Sequence, residues 1–394
     1  MSHQLINHSH DLQQLRDEGY EVEVRSNYLL IKHVPYVNPS REVKFGILVS
    51  ELSLAGNVTT TPSTHVVHFS GDHPCNKDGS KMSKIANAST QTEFAENLVI
   101  HHSFSSKPIS GSYPNYYEKM TTYANIISSQ AQAIDPEVTA KTFSVIESEE
   151  YESVFNYIDT ASSRAGIGLV TSKLEIGRVG IVGLGGTGSY VLDLVAKTPV
   201  KEIHLFDGDK FLQHNAFRSP GAPSIEELKE QPTKVGYFRD RYFRMRQNII
   251  AHAFYIDASN VDQLRDMNFV FLCLDRGQSK KLIVEKLEDF CTPFIDTGMG
   301  VLHVDGALLG ILRTTTSTPS KREHVKDKKR IPFSDGDGNN EYDRNVQIAD
   351  LNALNAALAV IKWKKLFGFY RDLENEHYST YTIDGNMLTN EDLP

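Results

Sequence analysis

The chain of 394 residues is poor in cysteine and has no long apolar run. Its 3 cysteines, Cys75, Cys273 and Cys291, provide neither a disulfide framework nor a CxxC pair, which indicates a reducing compartment. No apolar run approaches the roughly 18 residues that a membrane span needs. The first residues also lack the charged start and the apolar core of a signal peptide. The sequence therefore predicts a cytoplasmic protein with no membrane partner.

Positive charge is also scarce. The 41 lysines and arginines are outnumbered by 50 aspartates and glutamates, and the formal net charge is -9. Nucleic acids and anionic membranes both require a basic surface, so this deficit argues against either one as the main partner. The length of the chain suggests two domains rather than a single core.

The residue pattern changes near residue 150. Residues 1–150 contain short strand-like runs between polar loops, and helices are predicted near 10–18 and 115–131. This pattern is typical of a small α+β domain, which we expect to recruit a substrate or a partner. Residues 151–394 alternate strands with helices instead. This alternation is typical of an α/β fold with a doubly wound, mostly parallel, Rossmann-like sheet.

The second half carries several distinct predictions of local structure. A helix is predicted over 189–197, and buried apolar runs predict strands at 178–182, 202–206, 251–256, 269–274 and 293–296. An irregular or antiparallel portion is expected at 301–304 and 307–312, a long mobile loop at 314–342, and a closing strand at 377–383. The spacing of four apolar residues predicts the buried face of a long helix: Leu351, Leu354, Leu358 and Ile361.

A glycine-rich turn follows the first of these strands. Gly183, Gly185 and Gly188 satisfy G-x-G-x-x-G between a predicted strand and a predicted helix. Glycines there allow a tight turn and a close approach to phosphate, and the start of the helix offers free N–H groups to an anion. The pattern favours a nucleotide site over a turn that binds no ligand.

Polar residues beyond the turn narrow the choice of nucleotide. Asp207 ends the second strand, where a carboxylate can bind ribose hydroxyls, but this also fits an NAD-dependent dehydrogenase. Arg218 and Lys234 supply positive charge for phosphates, and Asp275 is the type of ligand that Mg²⁺ prefers. Together with Asn215, this order of residues favours a triphosphate over a dinucleotide.

On these residues the chain resembles the ThiF/MoeB/HesA family, the adenylating fold shared with ubiquitin-activating enzymes. The family's Gly-x-Gly-Gly-x-Gly turn is matched by 183–188, which includes Gly186, and its Asp-x-Asp by Asp207 and Asp209. Asn215 and Arg218 keep the family's spacing, while His214, Ser219 and Arg276 depart from its usual residues.

The resemblance implies a role for each matched residue. The turn and the Asp-x-Asp pair would hold the nucleotide, with Asp207 on the ribose, and Asp275 would bind Mg²⁺. Asn215, Arg218 and Lys234 would contact the phosphates of ATP. Arg164 resembles the arginine that reaches the γ-phosphate from the neighbouring subunit in homodimeric members, although an ordinary linker arginine is an equal alternative.

The resemblance also implies a reaction, namely adenylation of the C-terminal glycine of a ubiquitin-like protein. Many relatives next form a thioester on a cysteine, but residues 301–394 contain none, and Cys273 and Cys291 are interpreted as core residues. We therefore expect the adenylate to pass to a separate conjugating protein or acceptor. The basic run within 314–342 is either a clamp for the substrate's tail or a solvated loop.

The first domain contains His73-Pro74-Cys75-Asn76, which faintly resembles the His-Pro-Asn segment of ubiquitin-conjugating enzymes. The usual cysteine position falls near Met82, so we expect a domain related to conjugating enzymes but without their active site. Cys75 is either a transfer thiol or part of a structural turn, and the turn is favoured. Two other functions remain open for the whole chain: an NAD(P)-dependent oxidoreductase and a non-catalytic scaffold.

Overall fold

A computed structural model describes residues 2–148, 153–275, 277–333 and 346–393. The chain divides into two units: Met1–Ile146 with Thr160–Gly166, and Glu147–Asp159 with Ile167–Pro394. The segment 160–166 thus lies with the first unit, whereas the division at residue 150 assigns it to the second. Among the described residues, no helix has the length and apolar character that a membrane span requires.

The first unit contains a 6-stranded antiparallel sheet in the order β1-β2-β3-β6-β10-β7. Its helices are α1 (Ser2–His8), α2 (His10–Asp17), α3 (Tyr116–Gln132) and α4 (Thr160–Arg164). Its strands are β1 (Glu21–Arg25), β2 (Tyr28–Val37), β3 (Val43–Glu51), β4 (Leu54–Ala55), β5 (Val58–Thr59), β6 (Val66–Ser70), β7 (Ala86–Ala88), β8 (Thr92–Ala95), β9 (Leu98–Ile100) and β10 (His102–Ser105).

Helix α3 closes the core of this unit. Asn115 caps its start by accepting a hydrogen bond from the Glu118 N–H at 2.8 Å. Tyr116, Met120, Tyr123 and Ile127 follow at helical spacing and are all buried against the sheet. The two helices predicted in this half are therefore present as α2 and α3.

The second unit contains an 8-stranded mixed sheet in the order β13-β12-β11-β14-β15-β16-β17-β18. Its strands are β11 (Arg178–Val182), β12 (Glu202–Phe206), β13 (Ile249–His252), β14 (Phe269–Leu272), β15 (Phe294–Val304), β16 (Ala307–Ser317), β17 (Tyr378–Thr382) and β18 (Met387–Glu391). Its helices are α5 (Gly168–Thr171), α6 (Gly186–Val195), α7 (Gln213–Ala216), α8 (Ile225–Glu230), α9 (Lys234–Tyr242), α10 (Gly277–Asp289), α11 (Glu323–Asp327) and α12 (Ala349–Leu366), with short 3₁₀ turns at Ser172–Leu174 and Val261–Leu264.

Strands β13, β12, β11, β14 and β15 run parallel, and β16 to β18 continue antiparallel. Both faces of the parallel part are covered. Val179 and Ile181 pack with α6 and α12, while Val182 packs with α10. This arrangement confirms the predicted α/β, Rossmann-like fold.

Of the two alternatives expected for 301–304 and 307–312, the antiparallel one is confirmed, because the region is a regular hairpin of two long strands, β15 and β16. One predicted segment differs from the structure. The predicted loop at 314–342 begins instead as the buried end of β16 and then contains α11. Lys328 and Arg330 of its basic run pair with Asp392, so ion pairs give this stretch a defined conformation. Its remainder from 334 lies outside the described residues.

The buried face of α12 also differs from the prediction. Asn352, Asn355, Ala356 and Ala359 are buried, whereas Ile361 is 43% exposed. Leu351 is the member of the predicted stripe that is buried. Asn352 therefore faces the glycine turn, and Ala356, Ala359 and Trp363 face the parallel strands, while Leu351 and Leu354 pack against the β15–β16 hairpin.

Candidate nucleotide site

The glycine turn joins β11 to α6 at the carboxyl edge of the parallel sheet. Gly183 has φ +89, and the helix begins at Gly186, three residues earlier than predicted. A Cβ on Gly188 would lie 1.9 Å from the Gly183 carbonyl oxygen, so only glycine allows the helix to pass so close to the strand. The first N–H groups of α6 therefore lie beside the ends of the central strands.

A cavity of about 310 Å³ lies at this edge. Its walls combine residues from the ends of four strands, from α9 and from α10. The lining residues are Val182, Gly183, Gly185, Phe206, Asp207, Asp209, Lys234, Tyr255, Ile256, Cys273, Leu274, Asp275, Ser279 and Ile283. Six predicted site residues are thus brought together around one open space at the carboxyl ends of parallel strands, where α/β sheets bind ligands.

Asp207 is buried and oriented by backbone groups. Its Oδ2 accepts a hydrogen bond from the Leu184 N–H at 2.7 Å, and its Oδ1 accepts one from the Asp209 N–H at 2.8 Å. The first of these bonds ties the carboxylate to the glycine turn. The position of Asp207 at the end of β12 is the one from which a carboxylate reaches a ribose.

Lys234 begins α9, and Thr233 caps that helix by accepting from the Gly236 N–H at 3.2 Å. The ammonium donates to Asp209 Oδ2 at 2.6 Å and lies 3.6 Å from Asp207 Oδ2. Tyr255 donates its hydroxyl hydrogen to the same Asp209. A buried cation is thus held at the cavity by two carboxylates, which compensates much of its desolvation.

Asn215 and Arg218 are not among the cavity-lining residues. Asn215 is buried, and its Oδ1 accepts from the Leu212 N–H at 2.8 Å, so it shapes the turn of α7. The Nε of Arg218 is buried and has no acceptor among the described residues. A buried donor in this state is costly, and an anionic ligand would supply its acceptor.

Two residues that were not predicted from the sequence support the glycine turn. One lies in α12 and the other in the segment just before that helix. Asn352 accepts from the Thr187 hydroxyl at 3.0 Å and donates to the Arg218 carbonyl at 3.3 Å. Gln347 accepts from the Gly186 N–H at 3.2 Å and donates to Asp275 Oδ2 at 3.3 Å. The available signal was an asparagine pair, 352 and 355, within the otherwise apolar stretch 351–361 of the helix.

Asp275 follows β14 and lines the cavity. The described residues contain no cluster of three or more histidine, cysteine, aspartate or glutamate side chains suited to a metal ion. Mg²⁺ does not require such a cluster, because it usually takes one or two carboxylates together with water and phosphate oxygens. The Asp275 carboxylate beside the glycine turn is therefore compatible with magnesium, but it would not bind the ion without phosphate and water ligands.

The remaining predicted residues have different environments. Arg164 is exposed at the end of α4 in the first unit. Cys273 is partly buried and lines the cavity rather than the core, and desolvation raises the pKa of its thiol to about 12. Cys291 is exposed, so its interpretation as a core residue is wrong. Cys75 is buried and donates to the His73 carbonyl at 3.1 Å, and desolvation raises the pKa of its thiol.

Comparison with known proteins gives two family matches. A sequence profile described as "ThiF family" matches residues 158–359, and one described as "Domain of unknown function (DUF6791)" matches residues 10–160. Comparison with curated protein sequences gives no match.

Similar solved structures include MccB from E. coli with ATP, at 18% identity and a TM-score of 0.44, covering 59% of this chain and 69% of that chain. PaaA is similar at 15% identity and a TM-score of 0.47, covering 71% and 86%. The ThiF profile spans more than half of the 394 residues. The protein therefore belongs to the ThiF family.

Proposed function

We propose that this protein uses ATP and Mg²⁺ to adenylate the C-terminal carboxylate of a ubiquitin-like protein. The observation that carries the proposal is the convergence of the glycine turn, Asp207, Asp209, Lys234 and Asp275 on one cavity. A dinucleotide site has no particular need for Lys234 and Asp275, whereas a triphosphate needs cationic and metal-binding groups there. Membership of the ThiF family supports the same chemistry.

In this proposal each residue has a distinct role. Asp207 accepts hydrogen bonds from the ribose hydroxyls, and Lys234 exchanges its bond to Asp209 for phosphate oxygens. The free Nε–H of Arg218 donates to a phosphate, and Asn215 holds the α7 turn on which Arg218 lies. Asp275 would hold Mg²⁺, which neutralises phosphate charge when it is bound.

The reaction requires no general base, because the attacking carboxylate is already ionised at neutral pH. A carboxylate oxygen bonds to the α-phosphorus, the bond from that phosphorus to the bridging oxygen breaks, and pyrophosphate leaves. The protein then contributes by positioning the carboxylate against the α-phosphate and by neutralising the charge of the phosphates. The adenylate then passes to a separate conjugating protein or acceptor, because residues 301–394 contain no cysteine that could carry a thioester.

Two further parts of the proposal concern assembly. The protein acts as a homodimer in which Arg164 of one copy reaches the γ-phosphate bound by the other. The first unit recruits the substrate or the downstream partner. Cross-linking a cysteine introduced at Arg164 to a photoreactive ATP analogue, in mixed dimers with an Asp275→Asn copy, tests the first of these parts.

Pyrophosphate exchange tests the central proposal. Labelled pyrophosphate should enter ATP only when a cognate ubiquitin-like protein is present, and Asp275→Asn should reduce exchange at least a hundredfold. Asp262→Asn, an exposed aspartate paired with Arg265 in the same unit, is the matched control and should exchange normally. Absence of exchange with every candidate, together with binding of reduced nicotinamide nucleotide, would overturn the proposal in favour of an oxidoreductase.

A further inference from the structure

The side chain of Gln347 connects two groups of the candidate nucleotide site. Its Oε1 accepts a hydrogen bond from the Gly186 N–H at 3.2 Å, and its Nε2 donates to Asp275 Oδ2 at 3.3 Å. A Cβ on Gly185 would lie 3.8 Å from the same Oε1, so the amide oxygen lies over the glycine turn. The carboxamide therefore reaches from the start of α6 to the carboxylate that follows β14.

These two groups are the ones that a phosphate and a cation would use. The Gly186 N–H lies in the first turn of α6, where a helix offers donors to phosphate oxygens. Asp275 is the carboxylate that the proposed function assigns to Mg²⁺. An amide carries both an acceptor oxygen and donor N–H groups. Gln347 therefore satisfies, with one neutral side chain, a donor that would bind an anion and a carboxylate that would bind a cation.

The backbone before α12 directs Gln347 toward the site. Ile348 has φ −121 and ψ 140, an extended conformation in which successive side chains point to opposite sides. Val346 and Ile348 both pack with the apolar cluster of the β15–β16 hairpin, which includes the buried Leu312. Gln347, between them, points away from that cluster and toward α6. The contact with the glycine turn is therefore set by local packing.

The two bonds of Gln347 are of a kind that a charged ligand can replace. Both are longer than the usual N–H···O distance of about 2.9–3.0 Å. A bond from the Gly186 N–H to a charged phosphate oxygen is stronger than one to a neutral amide oxygen. A group of the protein that occupies a binding position nevertheless lowers the apparent affinity of the ligand, because the ligand binds only the fraction of molecules in which that group has moved away.

We propose that Gln347 is an autoinhibitory residue, which competes with the phosphates of ATP for the Gly186 N–H and with Mg²⁺ for Asp275. A ligand that carries both phosphate and a divalent cation replaces both ends of the amide, whereas a nucleoside replaces neither. This inference rests on the proposed use of ATP and adds a control on it. Gln347 sets the concentration of nucleotide at which the site fills.

Calorimetric titration of the full chain tests this role, with ATP and Mg²⁺ as one ligand and adenosine as the other. Gln347→Ala should bind ATP about tenfold more tightly than the wild type does, which is about 1.4 kcal/mol of binding free energy. Adenosine has no phosphate, so it should bind both proteins equally. The sign of the change is informative, because removal of a residue that only supported the turn would weaken ATP binding.

Gln130→Ala is the matched control, because Gln130 Oε1 also accepts from a backbone N–H, that of Lys77 at 3.1 Å, but in the first unit. It should bind ATP as the wild type does. If Gln347→Ala binds ATP no more tightly than the wild type, or gains equally for adenosine, the inference is wrong while ATP use stands. If neither protein binds ATP, the proposed function fails and the inference with it.

Discussion

The two units each bury an aspartate and a lysine, but they use them differently. In the first unit, Asp11 accepts from the Tyr116 N–H at 2.9 Å and from the Thr59 hydroxyl at 2.6 Å. Lys119 is completely buried and donates to the Ser50 hydroxyl at 2.8 Å. In the second unit, Asp207 and Lys234 are similarly buried, but they lie next to each other in the wall of a cavity.

This contrast distinguishes buried charges that only hold a unit together from buried charges that border a cavity. Asp11 joins α2 to the start of α3, and its oxygens are used by groups of its own unit. Among the described residues, no carboxylate lies as close to the Lys119 ammonium as Asp209 lies to Lys234, and desolvation lowers the pKa of Lys119 from 10.5 to about 8. Burial alone therefore does not identify a site. The distinguishing feature is open space bordered by complementary charges that a ligand can exchange.

The largest expected effect comes from the glycine turn. In Gly188→Ala the new methyl group would lie 1.9 Å from the Gly183 carbonyl, so β11 and α6 cannot keep their contact. We expect loss of the cooperative unfolding transition of the second unit while that of the first unit persists, measured by calorimetry. Gly168→Ala, where a Cβ would meet no atom of the described residues within 4 Å, is the control and should unfold as the wild type does. Normal melting of Gly188→Ala would show that the turn tolerates a side chain.

Lys234 should give the next largest effect. Lys234→Met leaves Asp207 and Asp209 without their shared cation, and it removes the proposed phosphate contact. We expect ATP affinity, measured by calorimetry, to fall about a hundredfold, which is about 2.7 kcal/mol of binding free energy. Lys119→Met supplies the comparison in the other unit, where ATP affinity should not change. Equal losses in both variants would contradict the separation between the two units.

The sequence predicts those parts of the site that depend only on residues close to one another along the chain. Strands at 178–182 and 202–206 are recovered to the residue, because a buried run next to a glycine turn needs no information from distant residues. The supporting role of Asn352 was missed, because the spacing of Leu351, Leu354, Leu358 and Ile361 indicated a different buried face of α12. The ion pairs of Lys328 and Arg330 with Asp392 were also not predicted, because more than 60 residues separate the partners along the chain.

A smaller effect, on stability, should come from Lys119 itself. Its native pKa of about 8 lies below the ordinary 10.5, so the unfolded chain binds the proton more tightly. The wild-type unit should therefore gain stability as the pH rises from about 8 to about 10.5. Lys119→Met removes the buried charge and should stabilise the unit on the order of 3 kcal/mol below pH 8, a benefit that fades toward pH 10.5.

Denaturant unfolding of the Lys119→Met variant and the wild type at pH 7, 9 and 10.5 measures this trend. Lys77→Met, at an exposed position of the same unit, controls for the loss of a lysine as such and should show no trend of this kind. A constant difference between Lys119→Met and wild type at all three pH values would mean that Lys119 keeps its ordinary pKa.

The smallest expected effect concerns Cys75, the one thiol of the first unit. Its Sγ–H donates to the His73 carbonyl in a buried turn, and desolvation raises its pKa, so the reactive thiolate is scarce at neutral pH. Cys75→Ala should cost about 1 kcal/mol of stability and leave pyrophosphate exchange unchanged. The variant and the wild type should also form equal amounts of any thiol-sensitive adduct on a non-reducing gel. An adduct that forms with wild type and disappears in Cys75→Ala would show that this turn opens to expose a transfer thiol, and the first unit would then need a functional interpretation of its own.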